Sequence, residues 1–116
     1  MIQPRLDDYL RHILAAIERI EQYVAELDPA EFIDDERTQD AVIRNIEIIG
    51  EASHRIETGY PDFAAAHPEL PVSSAYQMRN AVSHGYFEVD LEIVWKTVKG
   101  DLPALAILTR KLLAGN

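Results

Sequence analysis

Between residues 5 and 27, apolar side chains fall at Leu6, Leu10, Ile13, Ile17, Ile20, Val24 and Leu27. The steps alternate four and three, which keeps one stripe on one face of an α-helix. Pro4 suits the first helical turn, where no amide donor is needed. The spacing predicts a long amphipathic helix whose stripe meets a core or an interface. The stretch DPAEFIDDERTQD that follows reads as a connection with room for a short helical turn. A second helix is predicted over residues 37–58, with Val42, Ile46, Ile49 and Ile56 on one face and Ile43 beside them. Gly50 inside it costs about 1 kcal/mol relative to Ala, which a close helix crossing would explain. Gly59 and Pro61 end the segment.

PDFAAAHPELP, bounded by prolines, predicts a short helical turn within a long connection. Ser74 and Gln77 form a capping-box pair that opens a third helix. That helix runs to Ser83 or His84, with Gly85 placed to close it. Asp90 is the expected N-cap of a fourth helix that turns Leu91, Val94, Trp95, Val98, Leu102, Leu105, Leu108 and Leu112 inward. Gly100 and Pro103 fall within it and predict a kink or a break near 100–103. No useful length of strand-like alternation and no internal repeat interrupts this pattern. The expected architecture is all-α, an antiparallel bundle of four main helices with short extra helical turns.

At 116 residues the chain is expected to be one domain, 1–116, able to bury roughly two thirds of the surface its unfolded form exposes. A hydrophobic content of 47% agrees with a folded core. No apolar run approaches the roughly 18 residues that span a membrane. MIQPRLDDYL lacks the basic-then-apolar build of a secretory signal. Cysteine is absent, which removes disulfides and thiolate metal sites. A cytoplasmic location is expected.

Charge narrows the choice of partners. Twenty acids against 11 bases leave a net charge of −9, the wrong sign for gripping nucleic acid along a broad basic surface. Contact with RNA phosphate must then be local and built from few arginines. Alternatively, the acidic surface meets a basic partner.

The candidate chemistry narrows in the same way. Glu51 and His54 have the E-x-x-H spacing of di-iron bundles, but such sites need a second pair and two more glutamates, and the chain has no second E-x-x-H. Neither His12 nor His67 has an evident metal partner, so no metal or cofactor is expected. A G-x-S-x-G elbow and a Gly-rich phosphate loop are both lacking. What remains is MRNAVSHGYFEVD, residues 78–90. On an unbroken helix Arg79 and His84 would lie roughly 140° apart. If the helix stops at Gly85, the long arginine can reach round to the imidazole. A guanidinium binds phosphate through paired hydrogen bonds, and an imidazole moves protons near neutral pH. The same pattern also fits a helix cap beside a surface histidine, and spacing alone does not separate the two.

The runs AVIRNIEIIGEASHRI, RNAVSHGYFEVD and DLEIVWKTVKGDLPAL together resemble the HepT-like toxins of the HEPN superfamily. The resemblance extends from RLDDYLRHILAAIERIEQY to the last helix. The family signature R-x4-H-x-Y, with a polar residue after the arginine, maps onto Arg79, Asn80, His84 and Tyr86. The resemblance implies a dimeric HEPN-like helical domain, a homodimer or higher even oligomer, with two motif copies in the cleft between protomers. It also implies a metal-independent endoribonuclease that acts on RNA as the toxin of a toxin–antitoxin pair. Arg79, Asn80 and His84 would be its catalytic residues. The implied partner is a minimal nucleotidyltransferase of the MntA type, which silences the toxin by transferring AMP to Tyr86. One departure stands out: many relatives carry a tryptophan soon after the proline before the third helix, where this chain reads LPVSSAYQMRN with Val72. The alternative from another class is a binding module that keeps the motif, cleaves weakly or not at all, and partners the nucleotidyltransferase.

Overall fold

The computed structural model describes residues 5–71 and 91–115, and every regular element among them is helical. Helix α1 spans Leu6–Val24. Its stripe becomes core as the spacing predicts, with Leu10, Ile13, Ala16, Ile17, Ile20 and Val24 all buried. The helix stops sooner than the stripe: the Leu27 amide donates back to the Val24 carbonyl at 3.0 Å and turns the chain. At the start, Asp8 accepts from the Arg5 amide at 3.0 Å, placing a carboxylate where unpaired N–H groups converge.

Helix α2, Pro29–Asp34, is the short helical turn for which the predicted connection leaves room. Asp28 accepts from the Glu31 amide at 2.8 Å while Glu31 accepts from the Asp28 amide at 3.0 Å, a reciprocal capping box. Pro29 stands at the first position, where its missing N–H costs nothing. Helix α3 follows at once, Glu36–Gly59. Asp35 caps it through the Thr38 amide at 3.1 Å and the Thr38 hydroxyl at 2.7 Å. These two bonds hold the Asp35 carboxyl below its ordinary range. The cap therefore contributes stability above the unfolded carboxylate pKa and loses it as pH falls through the lowered folded value. Gly59 ends α3, and Pro61 opens helix α4, Pro61–Ala66.

Gln39 locks α2 onto α3. It is 9% exposed, and its amide donates to the Phe32 and Ile33 carbonyls at 2.9 and 2.8 Å. Those carbonyls close the last turn of α2, where intrahelical donors run out. Gln39→Ala is expected to cost about 1–3 kcal/mol, because the Ile33 carbonyl loses its partner and the Phe32 carbonyl keeps only the Asp35 amide at 3.2 Å. Urea denaturation checks this, and a loss below about 0.5 kcal/mol would show that water replaces the clamp.

After the segment 72–90, helix α5 spans Leu91–Lys96, a π-helical turn spans Thr97–Asp101, and helix α6 spans Leu102–Ala114. Of the kink or break predicted near 100–103, the break does not occur: the chain is disturbed there but continues through a widened turn, Thr97–Asp101. Its bond runs from the Leu102 amide to the Thr97 carbonyl. The physical reason is Pro103, which has no N–H and whose ring crowds the carbonyl four residues back. A π-turn absorbs both defects without ending the helix. Lys99, inside that turn, places Nζ 4.9 Å from the Trp95 ring centroid.

Contacts fix the direction of packing. Arg19 meets Asn45 while Tyr9 and His12 meet residues 48–55, so α1 and α3 run antiparallel. Val24 lies by Val98 and Glu18 by Arg110, so α6 also runs against α1. Helix α1 is thus flanked by α3 and α6. Val42, Ile46, Ile49, Ala52 and Ile56 from α3 and Val98, Leu102, Leu105 and Ala106 from the last segment close on its stripe. None of the described helices is long and apolar enough to cross a membrane. The expected third main helix, with its Ser74–Gln77 cap and Gly85 stop, lies outside the described residues, as does the Asp90 cap.

Candidate functional site

Arg79, Asn80, His84 and Tyr86 lie within 72–90, outside the described residues, as does the departure at Val72. What is described is how the chain enters and leaves that segment. On the entering side, Leu70 is 3% exposed and belongs to the core cluster. Its amide donates to the His67 carbonyl at 3.0 Å, and the His67 amide donates to the Phe63 carbonyl at 3.0 Å. The His67 ring rests on Phe63 with centroids 4.4 Å apart. The Glu69 carboxyl is held below its ordinary range, first by its own backbone amide and then by His67, whose Nδ1 is 3.4 Å away. On the leaving side, α5 buries Val94 and sets Trp95 against Phe32, with ring centroids 5.2 Å apart. The motif segment is therefore joined at both ends to elements that the core holds.

Elsewhere, helices α1 and α3 form a second concentration of polar chemistry. Tyr9, His12, Arg44, Ile48, Glu51, Ala52 and Arg55 line a cleft of about 220 Å³ between the two helices. Arg44, Glu51 and Arg55 are spaced seven and four apart, so α3 carries all three along one face. Arg55 pairs with Glu51 at 3.6 Å, both side chains well exposed. Tyr9 and His12 meet edge to face with centroids 6.4 Å apart. Beyond the cleft, Asn45 is 5% exposed, accepts from Arg19 Nε at 2.8 Å and donates to the Ala41 carbonyl at 2.9 Å. In the sequence His12 has no evident metal partner, and Tyr9, Arg44 and Arg55 carry no motif that marks them. The available signal was their spacing on two amphipathic helices, but pairing them needs the register between helices. Among the described residues, no three His, Asp or Glu side chains come together so as to hold a metal ion.

The Ribonuclease HepT-like family matches residues 13–112. A protein named "Probable ribonuclease HepT" from Thermococcus cleftensis is 48% identical over 98 residues, covering 84% of this chain and 86% of that one. "Putative RNase MJ1380" from Methanocaldococcus jannaschii is 36% identical over 97 residues, covering 84% and 86% respectively. "Gamma-glutamylcyclotransferase and putative RNase MJ0434" from the same organism is 40% identical over 97 residues, and there the chain spans only 42% of the relative's length. No solved structure matches the chain. The chain belongs to the HepT-like ribonuclease family, as the resemblance in its motif and flanks implied.

Proposed function

We propose that this protein is a metal-independent endoribonuclease and the toxin of a toxin–antitoxin pair. The observation that carries this reading is the complete set Arg79, Asn80, His84 and Tyr86 in a chain whose family match runs from residue 13 to 112. Arg79 holds the scissile phosphodiester and the negative charge that grows on it in the transition state. The 2′-hydroxyl of the preceding ribose attacks phosphorus, and the bond from phosphorus to the 5′-oxygen breaks. His84 takes the 2′ proton or delivers one to the departing 5′-oxygen. In a homodimer a second copy of His84 lets one imidazole act as base and the other as acid. Asn80 orients the phosphate or the imidazole.

Regulation follows from Tyr86, two residues past His84. Its phenolic oxygen attacks the α-phosphorus of ATP on an MntA-type nucleotidyltransferase, pyrophosphate leaves, and AMP stays on the ring. The added phosphate carries negative charge beside Arg79 and competes for the place that RNA phosphate needs. Incubation with a cognate nucleotidyltransferase and ATP is expected to add one AMP to wild type and none to Tyr86→Phe, with cleavage lost only in wild type. A mass gain that survives in Tyr86→Phe would reject this acceptor.

The whole reading is tested by total RNA in excess EDTA with wild type whose mass shows no modification. Cleavage supports it. The net charge of −9 favours a second reading, a motif-bearing dimeric module that binds the nucleotidyltransferase without cutting RNA. Intact RNA from unmodified protein that still forms that complex would select it.

A further inference from the structure

The chain carries an excess of acid over its whole length, yet two guanidiniums, an imidazole and a phenol line one small cleft. Arg44 has no ion-pair partner among the described residues. The partner of Arg55, Glu51, stands at 3.6 Å in a pair that is about half exposed on both sides. Such a pair is worth little and exchanges readily for a stronger acceptor. Among the described residues that line it, the cleft therefore sets two guanidiniums against the Glu51 carboxylate.

Size and composition choose the ligand. A volume of about 220 Å³ is below the roughly 300–1,000 Å³ of pockets that enclose whole small molecules. It suits one tetrahedral anion. Arginine forks match phosphate oxygens through parallel hydrogen bonds. The rings of Tyr9 and His12 border the same cleft, and cationic groups beside aromatic faces are the composition of surfaces that track single-stranded nucleic acid.

We propose that the seam between α1 and α3 is a second anion site, where Arg44 and Arg55 seat one internucleotide phosphate of an RNA strand. The identity of the strand rests on the ribonuclease reading above. The site adds affinity and register for the strand. It also explains how a strongly acidic chain can engage RNA through a few local cations.

The test is binding of a fluorescent single-stranded 2′-O-methyl RNA, which lacks the attacking hydroxyl, to full-length wild type, Arg44→Glu, Arg44→Gln and Arg55→Gln. Lys111→Glu on α6 controls for net charge. Arg44→Glu is expected to weaken binding about tenfold or more, the scale of a charge-assisted hydrogen bond. The glutamine variants lose less. Each lost contact lowers the slope of log affinity against log salt by about 0.7. Circular dichroism establishes that each variant is folded, and Arg44→Gln keeps the test open if the reversal is not.

Binding by both Arg44 variants within twofold of Lys111→Glu would overturn the proposal. So would a change of oligomeric state in light scattering, which would make the seam a contact between copies of the chain. An Arg44-dependent affinity for inorganic phosphate without one for RNA would also reject the RNA strand. Arg44-dependent binding by a protein that cleaves nothing would support the seam while the ribonuclease reading fails. Cleavage by wild type with unchanged binding in the variants would do the reverse.

Discussion

Arg79→Ala and His84→Ala are each expected to cut kcat/KM for RNA cleavage by about 10²–10⁴-fold, measured in excess EDTA. A positioned imidazole accelerates proton transfer by that range, and removing one donor aimed at developing charge costs about 10²–10³. Arg79→Lys is expected to recover little, because an ammonium presents a point charge where the fork makes two parallel bonds. If the pair acts as a unit, the double variant will be no slower than the more damaged single one by more than a small factor. Binding of the non-cleavable strand separates chemistry from affinity. His84→Ala should bind nearly as well as wild type, whereas Arg79→Ala should bind less well if its guanidinium, as proposed, also holds the ground-state phosphate. Wild-type cleavage rates in His84→Ala would remove the histidine from the mechanism. Equal cleavage by both variants and wild type would point away from the motif altogether.

The helices were legible because burial imposes a period. Leu10, Ile13, Ile17 and Ile20 recur at helical spacing because they face one core, and each is fully buried. The predicted second helix, 37–58, differs from α3 by one residue at each end: Asp35 caps its start, and Gly59, the stop that the sequence shows, is its last residue. DPAE before α2 had the capping-box signature as well. The connection predicted there has room for this short helical turn, but six residues offer too short a window for periodicity to fix its bounds. Leu27 misleads in the other direction, since its spacing continues the stripe although the backbone has already turned. The π-turn was legible only as a disturbance. Gly100 and Pro103 announce a defect, but whether a helix breaks or widens depends on the packing of Val98 and Leu102 on either side. The family was legible through the motif and its flanks, which the match over residues 13–112 bears out. The α1–α3 seam was not, because Tyr9 and Arg55 become neighbours only through the register of two helices, and neither helix encodes that alone.

Phe32→Ala is expected to destabilise the protein by about 3–5 kcal/mol, out of a total stability of roughly 5–15 kcal/mol for a domain. The size of the effect follows from where the side chain sits. Helix α2 has six residues, far too few to be stable alone, so tertiary contacts must hold it. Its capping box and the Gln39 clamp satisfy polar groups, but Phe32 is its one buried side chain, at 0% exposure. The ring packs against Trp95 at 5.2 Å, which ties α2 to the helix that begins directly after the motif segment. Truncation removes the ring's burial and leaves a cavity that a capped, clamped helix cannot easily collapse into. The midpoint of thermal unfolding should fall by roughly 10–20 °C. Ile33→Ala, at the neighbouring position with 47% exposure, should change stability by less than about 0.5 kcal/mol. Trp95 is the only tryptophan in the chain, so its emission reports on this contact without a label. In folded Phe32→Ala it should shift to longer wavelength as water reaches the indole face that the phenyl ring covered. A loss below about 1 kcal/mol with unchanged Trp95 emission would mean that α2 is an appendage. The stability of the helix after the motif would then have to come from α6 and its packing on α1.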